Sequence, residues 1–186
     1  MIVIVAGVSG SGKTTVGAML AGRLGWRFAD ADDFHPTANI QRMRSGIPLT
    51  DADRWPWLRA LEAWMDERIA KGESAVLCCS ALKRSYRDML LGGRPDVQMV
   101  FLDVPPEELA RRLAARHGHF FPEKLLGTQL GALDPPQPDE HVISVGEADE
   151  PVGTVTSIIA ALWPDGKASG AAPVSGAAGG DHEAET

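Results

Sequence analysis

The stretch Gly7-Val8-Ser9-Gly10-Ser11-Gly12-Lys13-Thr14 constrains this chain more than any other. An apolar run, Ile2 to Ala6, precedes it and reads as a buried strand; Val16, Met19, Leu20 and Leu24 follow at helical spacing. G-x-x-x-x-G-K-[ST] between a strand and a helix is the phosphate-binding P-loop. Gly7, Gly10 and Gly12 let the backbone curl so that its N–H groups converge on phosphate oxygens, and the positive end of the following helix adds attraction. Lys13 is then placed for the β- and γ-phosphates, and the Thr14 hydroxyl for Mg²⁺. A ligand-free Gly-rich turn is the plain alternative, disfavoured because the glycines, Lys13, Thr14 and the flanking pattern all agree.

Beyond that helix, Gly25 is a stop and Trp26 to Ala29 a second short strand, running into Asp30-Ala31-Asp32-Asp33-Phe34-His35-Pro36. Acids there are well placed, since open α/β sheets bind ligands at the carboxyl ends of their strands. Pro36 opens a short helix that stops at Gly46. Asp53 is expected to cap a long helix from Arg54 to Lys71, with Leu58, Leu61, Met65 and Ile69 inside and Trp55, Trp57 and Trp64 as packing residues. Ser74 to Cys79 is a third strand, apolar as in a parallel sheet covered on both faces.

The next helix has Leu82, Tyr86 and Leu90 on its inner face and crowds Lys83, Arg84 and Arg87 near its start. Such a cluster is either a solvated basic face or an anion site, and its place after a strand favours the anion. Val97 to Leu102 is a fourth strand. Pro106 opens a helix bearing Arg111, Arg112 and Arg116; His117 to Pro122 reads as a hinge, and a helix with Leu125, Leu126, Gln129, Leu130 and Leu133 follows. Arginine before a Gly-containing hinge suits a closing phosphate clamp and equally a solvated helix face. The Pro-rich loop Asp134 to Asp139, a fifth strand His141 to Val145 and a last helix Pro151 to Trp163 complete the alternation. A parallel α/β sheet with helices on both faces is the expected architecture.

The formal net charge of −7 argues against binding nucleic acid through a broadly basic surface, so any anion site must be a local cluster. Cys78 and Cys79 are adjacent, which rules out a disulfide framework and fits the reducing cytoplasm. No segment reaches the ~20 apolar residues of a membrane helix, and the first apolar run has no basic leader and passes straight into the P-loop, unlike a signal peptide. Residues 1–165 read as one domain. The Gly, Ala and Ser-rich stretch 166–186 reads as a disordered tail. His35 and His119 show no metal-ligand spacing and are read as polar contacts to substrate or lid, or as structural.

Together these motifs resemble the gluconokinase (gluconate kinase) family of P-loop small-metabolite kinases, whose relatives include shikimate and nucleoside monophosphate kinases. The resemblance runs from about Ile2 to Trp163. It rests on the P-loop, Asp30-x-Asp32-x-x-His35-Pro36, Gly46-Ile47-Pro48-Leu49-Thr50-Asp51-x-Asp53-Arg54-x-Pro56-Trp57-Leu58, Cys79-Ser80-Ala81-Leu82-Lys83-x-x-Tyr86-Arg87-Asp88 and Arg116-x-Gly118-His119-Phe120. It implies a three-layer fold with a five-stranded parallel sheet in the order 2-3-1-4-5, a lid at about 112–124, usually a homodimer, and ATP-dependent phosphorylation of D-gluconate. The third strand ends without a carboxylate, so resemblance to shikimate-type kinases assigns Mg²⁺ to Thr14 and, through water, to Asp30.

On this reading Gly7, Ser9, Gly10, Ser11, Gly12, Lys13, Thr14, Thr15, Arg112 and Arg116 bind the nucleotide. Asp32 accepts or orients the proton of the attacking hydroxyl, with Lys13 and Arg116 as its catalytic companions. Asp32, His35, Arg54, Lys83, Arg87 and His119 contact gluconate. A related kinase for another small anionic acceptor such as shikimate is the nearest alternative. A nucleotide-dependent switch protein is a more distant one, opposed by the basic pocket.

Overall fold

The computed structural model of the protein describes residues 1–115, 123–146 and 150–166. Its elements alternate as β1 (Ile2–Ala6), α1 (Lys13–Leu24), β2 (Arg27–Asp30), a 3-10 turn (Ala31–Phe34), α2 (Thr37–Arg44), α3 (Asp51–Ala70), β3 (Ala75–Cys79), α4 (Arg84–Leu91), β4 (Val97–Asp103), α5 (Pro106–Ala115), α6 (Glu123–Gly131), a second 3-10 turn (Pro138–Glu140), β5 (Val142–Gly146) and α7 (Pro151–Leu162). The strands form one parallel sheet in the order β2-β3-β1-β4-β5. β1 is central, with Ile4 opposite Leu77 on one side and Met99 on the other. The P-loop therefore leaves the sheet at its middle, where neighbours on both sides hold it.

Strand pleating divides the core. Ile2, Ile4, Leu77 and Met99 face α3 and α4, where Leu58, Leu61, Met65 and Leu90 are fully buried. Each such side chain contributes roughly 1.5–3 kcal/mol relative to exposure. Val3, Val5, Val76 and Val100 face α1 and α7 through Val16, Leu20, Val155 and Ile158. The result is three layers. Gly17 faces the Cys78 thiol so closely that a methyl group there would collide with the sulfur, which brings α1 down onto β3.

The long helix begins three residues earlier than its sequence suggests. Thr50, not Asp53, is the N-cap: its hydroxyl accepts the Asp53 N–H at 3.3 Å, while Asp53 Oδ2 accepts the Thr50 N–H at 2.8 Å. This is a capping box with Asp in the third position. α4, by contrast, begins later than expected, at Arg84 rather than before Leu82. There Asp134 Oδ2 accepts the Arg84 N–H at 3.0 Å, and a loop distant in sequence sets the start of the helix.

Candidate active site

Gly10 and Gly12 adopt φ of 87° and 89°, a left-handed conformation that side chains resist, and the loop folds back over the start of α1. Lys13 Nζ donates to the Val8 carbonyl at 2.9 Å, spanning the loop. Burial pulls the Lys13 ammonium below its usual range, opposed by the nearby Cys78, Asp32, Cys79 and Asp30. A phosphate would supply the anion that such a buried cation lacks. Ser11 Oγ is buried and has no hydrogen-bond partner among the described residues, so it too suits a phosphate oxygen.

Two cavities flank Gly10 and Gly12. The first, about 330 Å³, extends past Thr15, Arg111 and Arg112 to Gly146 and Pro151 at the end of β5. Arg112 Nη1 lies 3.7 Å from where a Gly12 Cβ would stand, and its Nε donates to Glu108 Oε1 at 2.7 Å. Paired with Arg111 and then Arg112, the Glu108 carboxyl is held down to about 2. The second cavity, about 220 Å³, is lined by Ser9, Lys13, Thr14, Asp30, Asp32 and Ser80. Both open on the P-loop, one on the side of β5 and the other on the side of Asp30 and Asp32.

β2 delivers the acids. Thr14 Oγ1 donates to Asp30 Oδ2 at 3.0 Å, while Asp30 Oδ1 accepts the Asp32 N–H at 3.1 Å. Hydroxyl and carboxylate together are the kind of hard-oxygen set that suits Mg²⁺. Desolvation, and then the neighbouring Asp30 charge, raise the Asp32 carboxyl above the ordinary range despite the pull of Lys13. A carboxylate made more basic in this way is better matched to taking a proton near neutral pH.

α3 and the start of α4 share a connected polar cluster. Asp51 accepts two bonds from Lys83 Nζ, at 2.8 and 2.7 Å, and one from the Tyr86 hydroxyl at 2.6 Å. Arg54 Nη1 lies 3.4 Å from that hydroxyl and 3.9 Å from Asp51. The Lys83 and Tyr86 bonds keep the Asp51 carboxyl low, and Asp51 in turn raises Lys83. His35 stacks on Trp57 at 4.4 Å and 12°, and Trp57 Nε1 is anchored on the Ala31 carbonyl at 2.7 Å. Burial, then the Arg54 charge, push His35 down to about 4. It is a neutral imidazole at physiological pH, offering a polar edge without charge.

Arg87 is the clear correction. It is fully buried: Nε and Nη2 donate to Glu140 at 2.6 and 3.0 Å, and Nη1 donates to the Ala81 and Leu82 carbonyls at 3.2 and 3.0 Å. Four of its five side-chain N–H groups are bonded within the protein and the side chain is fully enclosed, so no face is left for a substrate carboxylate. What it does is brace the turn after β3, where Ala81 holds a φ of 41°, an uncommon conformation for a residue with a Cβ. Arg84, from the same basic cluster, pairs with Asp139 at 2.7 Å.

Arg116, His119 and most of the expected lid lie outside the described residues, as does nearly all of the 166–186 tail. Ser9, Gly10, Ser11, Gly12, Lys13, Thr14, Thr15, Asp30, Asp32 and Arg112 line the two cavities, Arg54 and Lys83 join the Asp51 cluster, His35 is stacked on Trp57, and Gly7 lines neither cavity. Sequence reasoning passed over Asp51, Ser80 and Gln129. Asp51 carried a signal in Thr-Asp-x-Asp-Arg, and Ser80 one in its place after a strand. Gln129 was visible only as a polar residue among leucines.

Comparison with known proteins agrees with this geometry. The family model described as "AAA domain" matches residues 2–136. A gluconokinase from Gluconobacter oxydans is 51% identical over 148 residues, covering 80% of this chain and 83% of the relative. A sugar kinase structure from Janibacter is 47% identical with a TM-score of 0.79, covering 88% and 94% of the two chains. A gluconokinase structure from Sinorhizobium meliloti is 40% identical with a TM-score of 0.72, covering 89% and 97%. Shikimate kinase from Aquifex aeolicus, at 18% identity and a TM-score of 0.58, shares the fold alone. With a P-loop, an acid-bearing β2 and that likeness over most of its length, the chain belongs to the gluconokinase family.

Proposed function

We propose that the protein transfers the γ-phosphoryl group of ATP to the 6-hydroxyl of D-gluconate, giving ADP and 6-phospho-D-gluconate. The observation that carries this reading is the 51% identity to a gluconokinase across 80% of the chain. On this reading the parts are as follows. Lys13, the loop amides and Ser11 hold the phosphates, with the base and ribose toward Gly146 and Pro151 and Arg112 alongside. Thr14 and Asp30 would hold Mg²⁺, which supplies neutralisation of the phosphate charge.

Asp32, which lines the cavity shared with Lys13 and Thr14, would accept the proton as the hydroxyl oxygen bonds to phosphorus. The bond between phosphorus and the β–γ bridging oxygen breaks, and ADP leaves with that electron pair. A positioned base is worth roughly 10²–10⁴-fold. Arg54, Lys83 and neutral His35 are the described groups suited to the acceptor's carboxylate and hydroxyls. Arg116 and His119 complete the set by resemblance, as do a lid, a homodimer and a cytoplasmic site of action. The buried Cys78 and Cys79 thiols, both raised to about 12 chiefly by burial, fit a reducing compartment.

A coupled ADP-release assay over gluconate, other sugar acids, shikimate and nucleoside monophosphates tests this reading. Turnover that depends on gluconate and far exceeds the basal rate is expected. Equal or better turnover on shikimate, or no acceptor dependence at all, would overturn it.

A further inference from the structure

One polar side chain beside the phosphate loop has no part in the reaction just described. On α6, Leu126 and Leu130 pack with Val8, Val104 and Leu109 in a small core under the P-loop. Gln129 lies between them and reaches Ser9, 120 residues away, with both ends of its carboxamide. Oε1 accepts the Ser9 N–H at 2.8 Å, and Nε2 donates to Ser9 Oγ at 3.0 Å. A two-point contact fixes direction as well as distance, which a single bond to a rotating hydroxyl does not.

Ser9's place in the loop gives this contact its meaning. Ser9 lines the cavity that contains Asp30, Asp32 and Ser80, but not the one that runs to Gly146 and Pro151. It is thus at the acceptor end of the phosphate cradle. It also follows Val8, whose carbonyl holds Lys13 Nζ. Turning the Ser9 peptide would disturb both the γ-phosphate end of the loop and the anchor of Lys13.

We propose that Gln129 is a positioning residue for phosphoryl transfer: its carboxamide clamps Ser9 so that the acceptor end of the P-loop is set before the nucleotide arrives. Misplacement of a reacting group by a fraction of an ångström lowers the rate of the chemical step more than it weakens binding. Gln129 therefore acts on the transferred phosphate and leaves the α-phosphate and base alone. This inference rests on the kinase reading above.

The test compares Gln129→Met and Gln129→Glu with the parent. Methionine keeps the volume of the side chain and removes both hydrogen bonds. Its kcat should fall about tenfold, the effect of losing a net hydrogen bond or two, while the Kd for ADP moves less than twofold. Glutamate can still accept from the Ser9 N–H and from its rotated hydroxyl, but adds negative charge at the γ end. The Kd for a non-hydrolysable ATP analogue should therefore rise several-fold more than that for ADP.

A purely structural role predicts a lowered Tm with kcat within twofold of the parent, or an equal Glu penalty for ADP and the ATP analogue. Either result overturns the proposal. Gluconate-dependent turnover of the parent is the control. Its absence sinks the kinase reading, whereas its presence with an unaltered Met variant sinks only the role of Gln129.

Discussion

The two sides of the active site are built by different means. The phosphate side is a single stretch of backbone issuing from β1, the central strand, and its shape is set by glycines within eight residues of one another. The proposed acceptor side draws on side chains from the turn after β2, from α3 and from the start of α4, and of these Arg54, Lys83 and Tyr86 are already drawn together around Asp51. Local backbone can recognise what all nucleotides share. Distributed side chains can be varied singly to choose an acceptor.

That contrast can be broken or sharpened by substitution. The largest effect is expected for Lys13→Ala. Removing a buried donor aimed at developing charge should lower kcat by about 10²–10³-fold. The Tm should hold, because burial already disfavours the ammonium. Near-normal turnover would remove the P-loop from the chemistry.

Asp32→Asn comes next, with kcat down about 10²-fold and gluconate KM little changed. The parent's kcat should decline as pH falls through the raised Asp32 value, on a limb above the usual carboxylate range. The Asn variant should lack that limb. A pH profile shared by both proteins would exclude Asp32 as the base.

Arg87→Met should act on stability rather than on binding. It leaves the Glu140 carboxylate buried and unpaired, a loss of about 3–5 kcal/mol measurable as urea or thermal unfolding. Arg87 first, among other groups, holds Glu140 below its usual value. Because that folded-state value is depressed, the pair's contribution is present above Glu140's ordinary range. It is lost as pH falls through the depressed value. A variant of parental stability with a raised gluconate KM would return Arg87 to the binding set.

The smallest effect is expected for Asp51→Asn, which releases Lys83. Gluconate KM should change by up to about tenfold with kcat nearly constant, as for a group that binds ground and transition states alike. An altered kcat would place Asp51 nearer the reacting centre.

How much of this was legible depended on sequence range. The P-loop, the acids after β2 and the alternation of strands and helices are encoded locally, and the structure follows them closely. Thr50 was legible too, since Thr-x-x-Asp is the capping pattern, but the more acidic Asp53 drew attention from it. Arg87 was misread because its partner, Glu140, is 53 residues away and nothing nearby marks it as paired. The one warning was spacing: Arg87 stands three residues before Leu90 and so shares its inward face. Gln129 required the contact across 120 residues before its amide could be read as anything but a break in a leucine stripe.

β2 has a neighbour on one side only, and Arg27 and Phe28 along it are exposed. The phosphate cradle is thus rooted at the centre of the sheet, and the acids on one of its two edges. Under heat or mild denaturant that edge should yield first. Backbone amides at Ala29 and Asp30 should exchange with solvent well before that of Ile4, and catalytic output should fade while the molecule still scatters and absorbs as a folded body. Endurance of the activity should then track this outer strand before it tracks the core.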